Sequence, residues 1–489
     1  MLFQSERLRL ESIDQVATIW LDAHVFDTAL LGDLSQALRM VRQSACIDVL
    51  VFRSSRPGHF LTGPDLNECA RLQDEISLRD FAMRGQYLLE RLERISETIP
   101  TVAYVDGRCT NAGLELALAC DYRLAVARPE TLLGCDPLAR GWLPCWGATQ
   151  RLPRLLSLRT AMRLLLEGRL LPARAAHKLG LVDHAFGPRP AKAELNWFLA
   201  DLQDHPRRPR RFFSRAGWWS RIWEQTRWGR SEVFNSAGKE FFDDPLAPAL
   251  IAEMERGAKF GPVEGNLAER HALVQSVLAG RQRERFQSAR TWENQSLRWH
   301  ETAVPTGVAV VGLSPRGVEL AATALRFGGK ATVWDSNESR RQSGAARLQR
   351  MVEEGVSAGW WTVAERDQKR KDLFVSRHGE GVGAAELVFL AGSPEEQRMF
   401  LIEMECFFNP DCIIVSTEPA AQARVKYPER CVICRFSDSP GSRQVEFVAQ
   451  AASDGALAKV ARWFDHCGYR VHGLPTADRR EEKVAAFAA

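Results

Sequence analysis

Glu115 stands one turn into a helix that opens on small residues, in the run Asp106-Gly-Arg-Cys-Thr-Asn-Ala-Gly-Leu-Glu-Leu-Ala-Leu-Ala-Cys-Asp-Tyr-Arg123. A small-residue turn feeding a helix presents free backbone N–H groups and the positive end of the helix dipole. Such a place can hold a developing oxyanion, and a glutamate beside it can move a proton. The same residues also fit a plainer arrangement, with Gly113 a tight turn and Glu115 a solvated first-turn carboxylate. On spacing alone the plainer arrangement is the commoner one. A second group of residues could hold a dinucleotide. Gly312-Leu-Ser-Pro-Arg-Gly317 follows a strand-like run, and Asp335 comes 18 residues after Gly317. Glycines there let a backbone approach a pyrophosphate, and the acid takes the ribose hydroxyls. Ser314 replaces the middle glycine and Pro315 removes an N–H, so dinucleotide binding and a purely structural βαβ unit both stay open. Cys431-Val-Ile-Cys434 has redox or zinc spacing but lies in a strand-like run without a second pair, which reads as structural.

The elements that must position these groups alternate in type. Asp48–Phe52 and Thr101–Val105 are strand-like, and Met1–Leu10 reads as a first strand. Glu115–Cys120 and Leu155–Glu167 carry helical apolar spacing. Residues 191–302 read as helical and almost without strand signal. From Val308 a new β-Gly-α-β unit begins, and Ala331–Asp335 is its second strand. Gly379-Glu-Gly-Val-Gly383 reads as a flexible loop. The expected organisation is α/β, with two strand–helix units joined by a helical connector and no internal repeat.

Composition removes several classes. The chain has 489 residues, 45% of them hydrophobic and 26% charged, an ordinary globular balance that disordered and collagenous chains lack. Its net charge of +4 does not point to nucleic acid or membrane as the main partner. No transmembrane segment or secretory signal is apparent, since the longest apolar runs fall short of the ~20 residues a bilayer needs. The 11 cysteines are read as reduced core residues of a cytoplasmic protein, and no metal site is expected. One segment departs from the average. Between Arg207 and Arg230 there are eight arginines, four tryptophans and one acid, Glu224. It reads first as a packed connector, then as a dock for an anionic cofactor or partner, and last as a membrane contact.

Taken together, four segments resemble the crotonase, or enoyl-CoA hydratase/isomerase, superfamily. They are His59-Phe-Leu-Thr-Gly-Pro-Asp-Leu66, Asp106–Arg123, Leu133–Pro153 and Lys178-Leu-Gly-Leu-Val-Asp-His184. The likeness covers about residues 5–190 and implies the crotonase spiral fold with an acyl-CoA thioester site. It implies oxyanion and acyl-CoA-binding roles at Gly63, Ala112 and Gly113 and an acid/base role at Glu115. It also exposes departures. The loop position whose N–H would donate is Pro64, and proline has none. The second carboxylate of the family falls on Pro137, with Asp136 one residue out of register as a conceivable stand-in.

The later unit resembles the NAD-binding half of 3-hydroxyacyl-CoA dehydrogenases. Phe408–Thr417 and Tyr427–Phe436 fit its strands, with Glu446 near the place of its orienting carboxylate. Arg435 occupies the position of its catalytic histidine, and an arginine cannot accept a proton near neutral pH. The order of units resembles the multifunctional fatty-acid oxidation α subunit, and Pro248–Gly257 and Glu264–Arg270 resemble its connecting helices. The expected layout is a crotonase-like acyl-CoA domain at 1–190, a connector at 191–302 and a Rossmann-like domain at 303–489. That last domain stops where the family's helical domain would begin. The expectation is an acyl-CoA-binding protein with an impaired hydratase site and no dehydrogenase activity. It would have a protein partner or self-associate through the crotonase unit, and no nucleic acid is expected. The alternatives are an active crotonase enzyme using Glu115 alone, and an NAD(H)-sensing regulatory or scaffold subunit.

Overall fold

Short β-branched and apolar runs build the spine of the first unit. The computed structural model describes residues 1–56, 58–205, 223–224, 226–280, 283–298, 302–417, 421, 425–436, 444–448 and 452–472. The chain divides into two units, Met1–Arg290 and Thr291–Ala489. The strands of the first unit are β1 Phe3–Gln4, β2 Leu8–Ile13, β3 Val16–Leu21, β4 Val49–Ser54, β5 Gly58–His59, β6 Thr101–Val105, β7 Gly107–Thr110, β8 Tyr122–Val126, β9 Leu132–Gly134, β10 Leu171–Pro172 and β11 His184–Phe186. Seven form one sheet in the order β1-β2-β3-β4-β6-β8-β11, parallel from β3 onward. Every residue of β6 and β8 is buried, so these central parallel strands are mostly apolar; the exception in β8, Arg123, is paired with Asp183 and donates to the Leu181 and Cys120 carbonyls.

A second, smaller sheet has the order β10-β9-β7-β5, and its pairs β5–β7 and β7–β9 are parallel. Parallel strands end on the same side. The loops leaving β5, β7 and β9, which carry Gly63–Pro64, Asn111–Glu115 and Asp136–Pro137, are thereby brought together.

The helices of this unit are α1 Thr28–Gln43, α2 Leu66–Cys69, α3 Glu75–Ile95, α4 Ala112–Ala119, α5 Pro137–Arg140, α6 Ala148–Leu155, α7 Leu158–Glu167, α8 Ala173–Leu179, α9 Ala191–Asp204, α10 Arg227–Glu240, α11 Ala247–Phe260 and α12 Pro262–Leu278, with α13 Arg283–Arg298 beginning in it. The segment expected as a connector contributes to the core of this unit. Val233, Leu250, Met254, Leu273 and Val274 are buried in one apolar cluster with Leu8, Phe52 and Leu114. The first strand is two strands, broken at Ser5, whose hydroxyl accepts the Arg7 and Leu8 N–H groups. The Leu155–Glu167 helix is also two, because Ser157 caps a fresh start by accepting the Thr160 N–H. Residues 206–222 of the Arg/Trp-rich segment lie outside the described residues.

The second unit holds β12 Gly307–Val311, β13 Lys330–Trp334, β14 Leu373–Val375, β15 Leu387–Leu390, β16 Ile413–Ser416, β17 Cys431–Phe436, β18 Gln444–Phe447 and β19 Arg470–His472. Their order is β14-β13-β12-β15-β16-β17-β18-β19, and β12 to β17 pair in parallel. Numbered within the unit the first six run 3-2-1-4-5-6, the doubly wound order of dinucleotide-binding folds. The helices α14 Pro315–Arg326, α15 Glu338–Ala358, α16 Val363–Asp372, α17 Pro394–Met404 and α18 Asp454–His466 accompany it. Gly379–Gly383 is a tied turn rather than a free loop, for Glu380 accepts from the Ser376 hydroxyl and the His378 N–H.

Candidate active site

Glu115 is buried in the first turn of α4, not solvated. The sharp turn falls at Asn111, whose φ of 52° and ψ of −121° lie outside the left-handed helical region, a backbone strain at a residue held by its side-chain bonds to Asp136. Gly113 lies inside the helix and serves close approach. A Cβ there would sit 2.0 Å from the Leu61 carbonyl oxygen of the first loop. Glycine thus lets two of the motif loops touch.

The Glu115 carboxylate lines a small cavity of about 20 Å³ together with Pro64, Ala112, Pro137, Arg140, Trp142 and Trp146. That is room for about one water. Its Oε1 accepts the Trp146 N–H (3.0 Å) and the Ala148 N–H (3.0 Å). Burial pushes the Glu115 carboxyl up, while these two bonds and the Arg151 charge pull it down. Ala112 is the first residue of α4, so its N–H is one of the donors the helix itself leaves without an acceptor. At Pro64 the chain offers no donor, and the next N–H does not replace it. Asp65 N–H turns to the Phe26 carbonyl (2.7 Å), which keeps that loop beside Phe26.

Gly63 and Asp136 are not among the residues facing the cavity. Asp136 is tied down instead: Arg140 Nε donates to its Oδ1 (3.0 Å), the Asn111 amide donates to the same oxygen, and its own N–H donates to Asn111 Oδ1 (3.0 Å). A carboxylate this engaged stays in the loop as an anchor. Trp142 and Trp146 fill the space beyond Glu115, Trp146 packing edge-on to Phe26 at 5.1 Å.

Sequence reasoning missed three groups here. Arg140 lines the cavity. Glu269, fully buried on α12, accepts the Gly147 N–H (2.7 Å), the Thr149 N–H (3.1 Å) and the Thr149 hydroxyl. Glu253, on α11, is buried with both carboxylate oxygens unbonded. The buried residues Gly265, Glu269 and Leu273 recur at four-residue spacing along α12, so a glutamate on an apolar stripe was the available signal.

In the second unit, Gly312 has φ 90°, and a Cβ there would meet the Gly392 nitrogen at 2.4 Å; one on Gly317 would meet the Gly312 carbonyl at 2.0 Å. Backbone packing alone accounts for both glycines. Ser314 caps α14 by accepting the Gly317 N–H (3.2 Å) and donating to the Ala391 carbonyl (2.8 Å). Asp335 accepts the Leu313 N–H (2.7 Å) and the Asn337 N–H (2.8 Å), and pairs with Arg340 (3.0 Å). The groups that would meet NAD are therefore engaged with the protein itself, a poor fit to that cofactor. Arg435 pairs with Glu446 across β17 and β18 at 3.5 Å, both exposed. Cys431 and Cys434 are buried and form no disulfide, and burial pushes the Cys431 thiol up to about 12 and the Cys434 thiol well above its ordinary value, so neither serves as a reactive thiolate.

With this geometry the first unit is of the crotonase type, and residues 14–205 match the family model described as enoyl-CoA hydratase/isomerase. In whole-chain terms it is a crotonase-type unit within a protein similar to the fatty acid oxidation complex subunit alpha. The subunit from Shewanella halifaxensis is 28% identical over 389 residues, which is 76% of this chain and 54% of that protein. The subunit from Aliivibrio fischeri is 37% identical over 176 residues, 35% of this chain and 25% of that protein. The chain thus spans about half the first relative's length and a quarter of the second's. Among solved structures, Pseudomonas aeruginosa DspI is 28% identical, with 41% of this chain and 82% of that one covered and a TM-score of 0.38. No helix among the described residues is long and apolar enough to cross a membrane.

Proposed function

We propose that the first unit binds an acyl-CoA thioester at the loops around Glu115, with the Trp142 and Trp146 side chains that now fill the space yielding to admit it, and turns it over poorly as a hydratase. The observation that carries this reading is the lining of the Glu115 cavity: Ala112 and Glu115 are present, but Pro64 and Pro137 stand where a second N–H and a second carboxylate would be needed. One missing oxyanion donor costs about 10²–10³ in rate, and a missing general acid or base about 10²–10⁴. Either loss is severe. Chemistry that needs one carboxylate, such as proton exchange beside the thioester carbonyl, isomerisation or slow hydrolysis, remains within reach of Glu115. Its burial and raised proton affinity favour this second, enzymatic reading.

The second unit, in this proposal, supports the fold or a partner and does not transfer hydride, since Arg435 holds the place of a proton acceptor. An NAD(H) sensor is the reading least favoured by the engaged Asp335 and Ser314. A cytoplasmic setting rests on the 11 cysteines that form no disulfide among the described residues, and self-association through the first unit is part of the same proposal. The test is a thermal-shift screen with crotonyl-CoA, butyryl-CoA and free CoA, followed by a hydratase assay. Stabilisation by the thioesters with slow hydration supports the proposal. Hydration at an ordinary enzyme rate overturns the impaired reading, and no shift with any thioester overturns the acyl-CoA reading.

A further inference from the structure

The turn Trp146-Gly147-Ala148-Thr149 is held from two sides by two buried carboxylates. Its N–H groups alternate: those of Trp146 and Ala148 donate to Glu115, and those of Gly147 and Thr149 donate to Glu269. The Thr149 hydroxyl adds a third bond to Glu269. Glu269 lies beyond residues 14–205, the span of the family match. The helices carrying it are shaped to receive this turn. A Cβ on Gly257 or Gly265 would fall 1.7 or 2.0 Å from Gln150 Oε1, so both glycines clear space for Gln150. The Gln86 amide on α3 donates to the carbonyls of Cys145 (2.8 Å) and Asn266 (2.9 Å), joining the turn to α12.

We propose that Glu269 is a positioning residue for Glu115, fixing the Trp146–Thr149 turn so that the Glu115 carboxylate keeps its place on the cavity wall. This rests on the reading of Glu115 as the proton-moving group of a thioester site. Removing Glu269 leaves Gly147 and Thr149 without acceptors, so the turn relaxes and the two bonds to Glu115 go with it. The two carboxyls also interact through charge. Burial first, and then Glu115, push Glu269 up to about 8, while the Thr149 hydroxyl, the Gly147 N–H and Arg151 pull it down. The other groups around it are Arg151 on α6, itself bonded to Glu93 on α3 (2.9 Å), Glu253 on α11, and the thiols of Cys135 and Cys145. Arg151 draws both glutamates down, Glu115 pushes Glu269 up, and Glu269 and Glu115 together push Glu253 up. Arg270 and His271 on its own helix lie at its exposed side.

The experiment uses the full chain as wild type, E269Q and E269A, with E115Q to assign the Glu115 carboxyl band. Infrared difference spectra are titrated against pH. Wild type should show a carboxyl losing its proton near pH 8, absent in E269Q. In E269A the Glu115 band should titrate higher, because the N–H bonds that stabilise its anion are lost. In parallel, α-proton exchange of butyryl-CoA in deuterated water should fall by about 10²-fold in E269A and by less in E269Q, which keeps one of the two oxygen acceptors. A Glu115 titration unmoved in E269A, or exchange in E269A at the wild-type rate, overturns the proposal. If E269A does not fold, E269D, whose shorter side chain draws the carboxyl back from the Gly147 and Thr149 N–H groups, takes its place in both measurements. Absence of butyryl-CoA exchange in wild type counts against the thioester reading and leaves the infrared result to judge the positioning role.

Discussion

At Pro64, Ala112 and Glu115 a few atoms decide what the cavity can do. Replacing Pro64 with alanine restores an N–H beside that of Ala112 without altering the charge. If the missing donor limits the site, Pro64→Ala should raise turnover on a thioester by about 10²-fold; an unchanged rate in a steady-state assay would show that the limit lies elsewhere. Trp142 sets a different property. It lines the 20 Å³ cavity and also a neighbouring groove of about 520 Å³ whose walls include Val277, Leu278 and Phe286. Trp142→Ala joins the two spaces, so thermal shifts should move from favouring butyryl-CoA toward favouring long-chain thioesters. Glu253 has a third kind of effect. Both its oxygens are buried without partners, and burial keeps its carboxyl protonated well above the ordinary range. An unsatisfied buried polar group costs about 1–3 kcal/mol. Glu253→Met, which fills the space without the polar atoms, should raise the denaturant midpoint by a corresponding amount.

At the scale of elements, the small sheet and α12 do most of the positioning. Parallel β5, β7 and β9 gather three loops that are far apart in sequence, and α12 brings a carboxylate to the N-terminus of α6. That carboxylate makes stability depend on pH. Glu269 keeps its proton to about 8 in the folded chain against an ordinary value of 4.5. Folding therefore takes up a proton between those values, and stability falls as pH rises through the interval, levelling above 8. Chemical denaturation at pH 5.5, 7 and 8.5 should show this decline in wild type and a shallower one in Glu269→Gln. An equal slope in both would remove Glu269 as its source. Much of this level was legible in the sequence. Thr101–Val105 forms a strand with the expected bounds, and Ala112 opens the expected helix, because a buried parallel strand and a small-residue turn each leave a local pattern. Glu269 left almost none. Its partners are backbone N–H groups some 120 positions away, and a backbone donor has no side-chain signature. The same holds for Asp335, whose spacing suggested a ribose ligand while its oxygens serve Leu313, Asn337 and Arg340.

For the whole molecule, the decisive boundary falls at Arg290, within α13 and beyond the other helices expected to be a connector. Residues 14–205 carry the family match, yet Val233, Phe234, Leu250, Met254, Leu273 and Val274 complete the apolar cluster that includes Leu114 of α4 and Trp146. Cutting at 205 exposes that surface and leaves the Gly147 and Thr149 N–H groups without their acceptor. The lost burial is large: each of those side chains contributes about 1.5–3 kcal/mol, while a domain's net stability is only about 5–15 kcal/mol. A fragment of residues 1–205 should therefore fail to unfold cooperatively, whereas residues 1–290 should show a single sharp transition by circular dichroism. The second half of the chain is predicted to contribute no NADH site of ordinary strength, because Arg340 and two backbone N–H groups already satisfy Asp335. Calorimetry of the full chain with NADH should give a flat trace. Heat with one-to-one stoichiometry would show instead that Arg340 yields Asp335 to a ribose, and Arg340→Ala should then bind more tightly still.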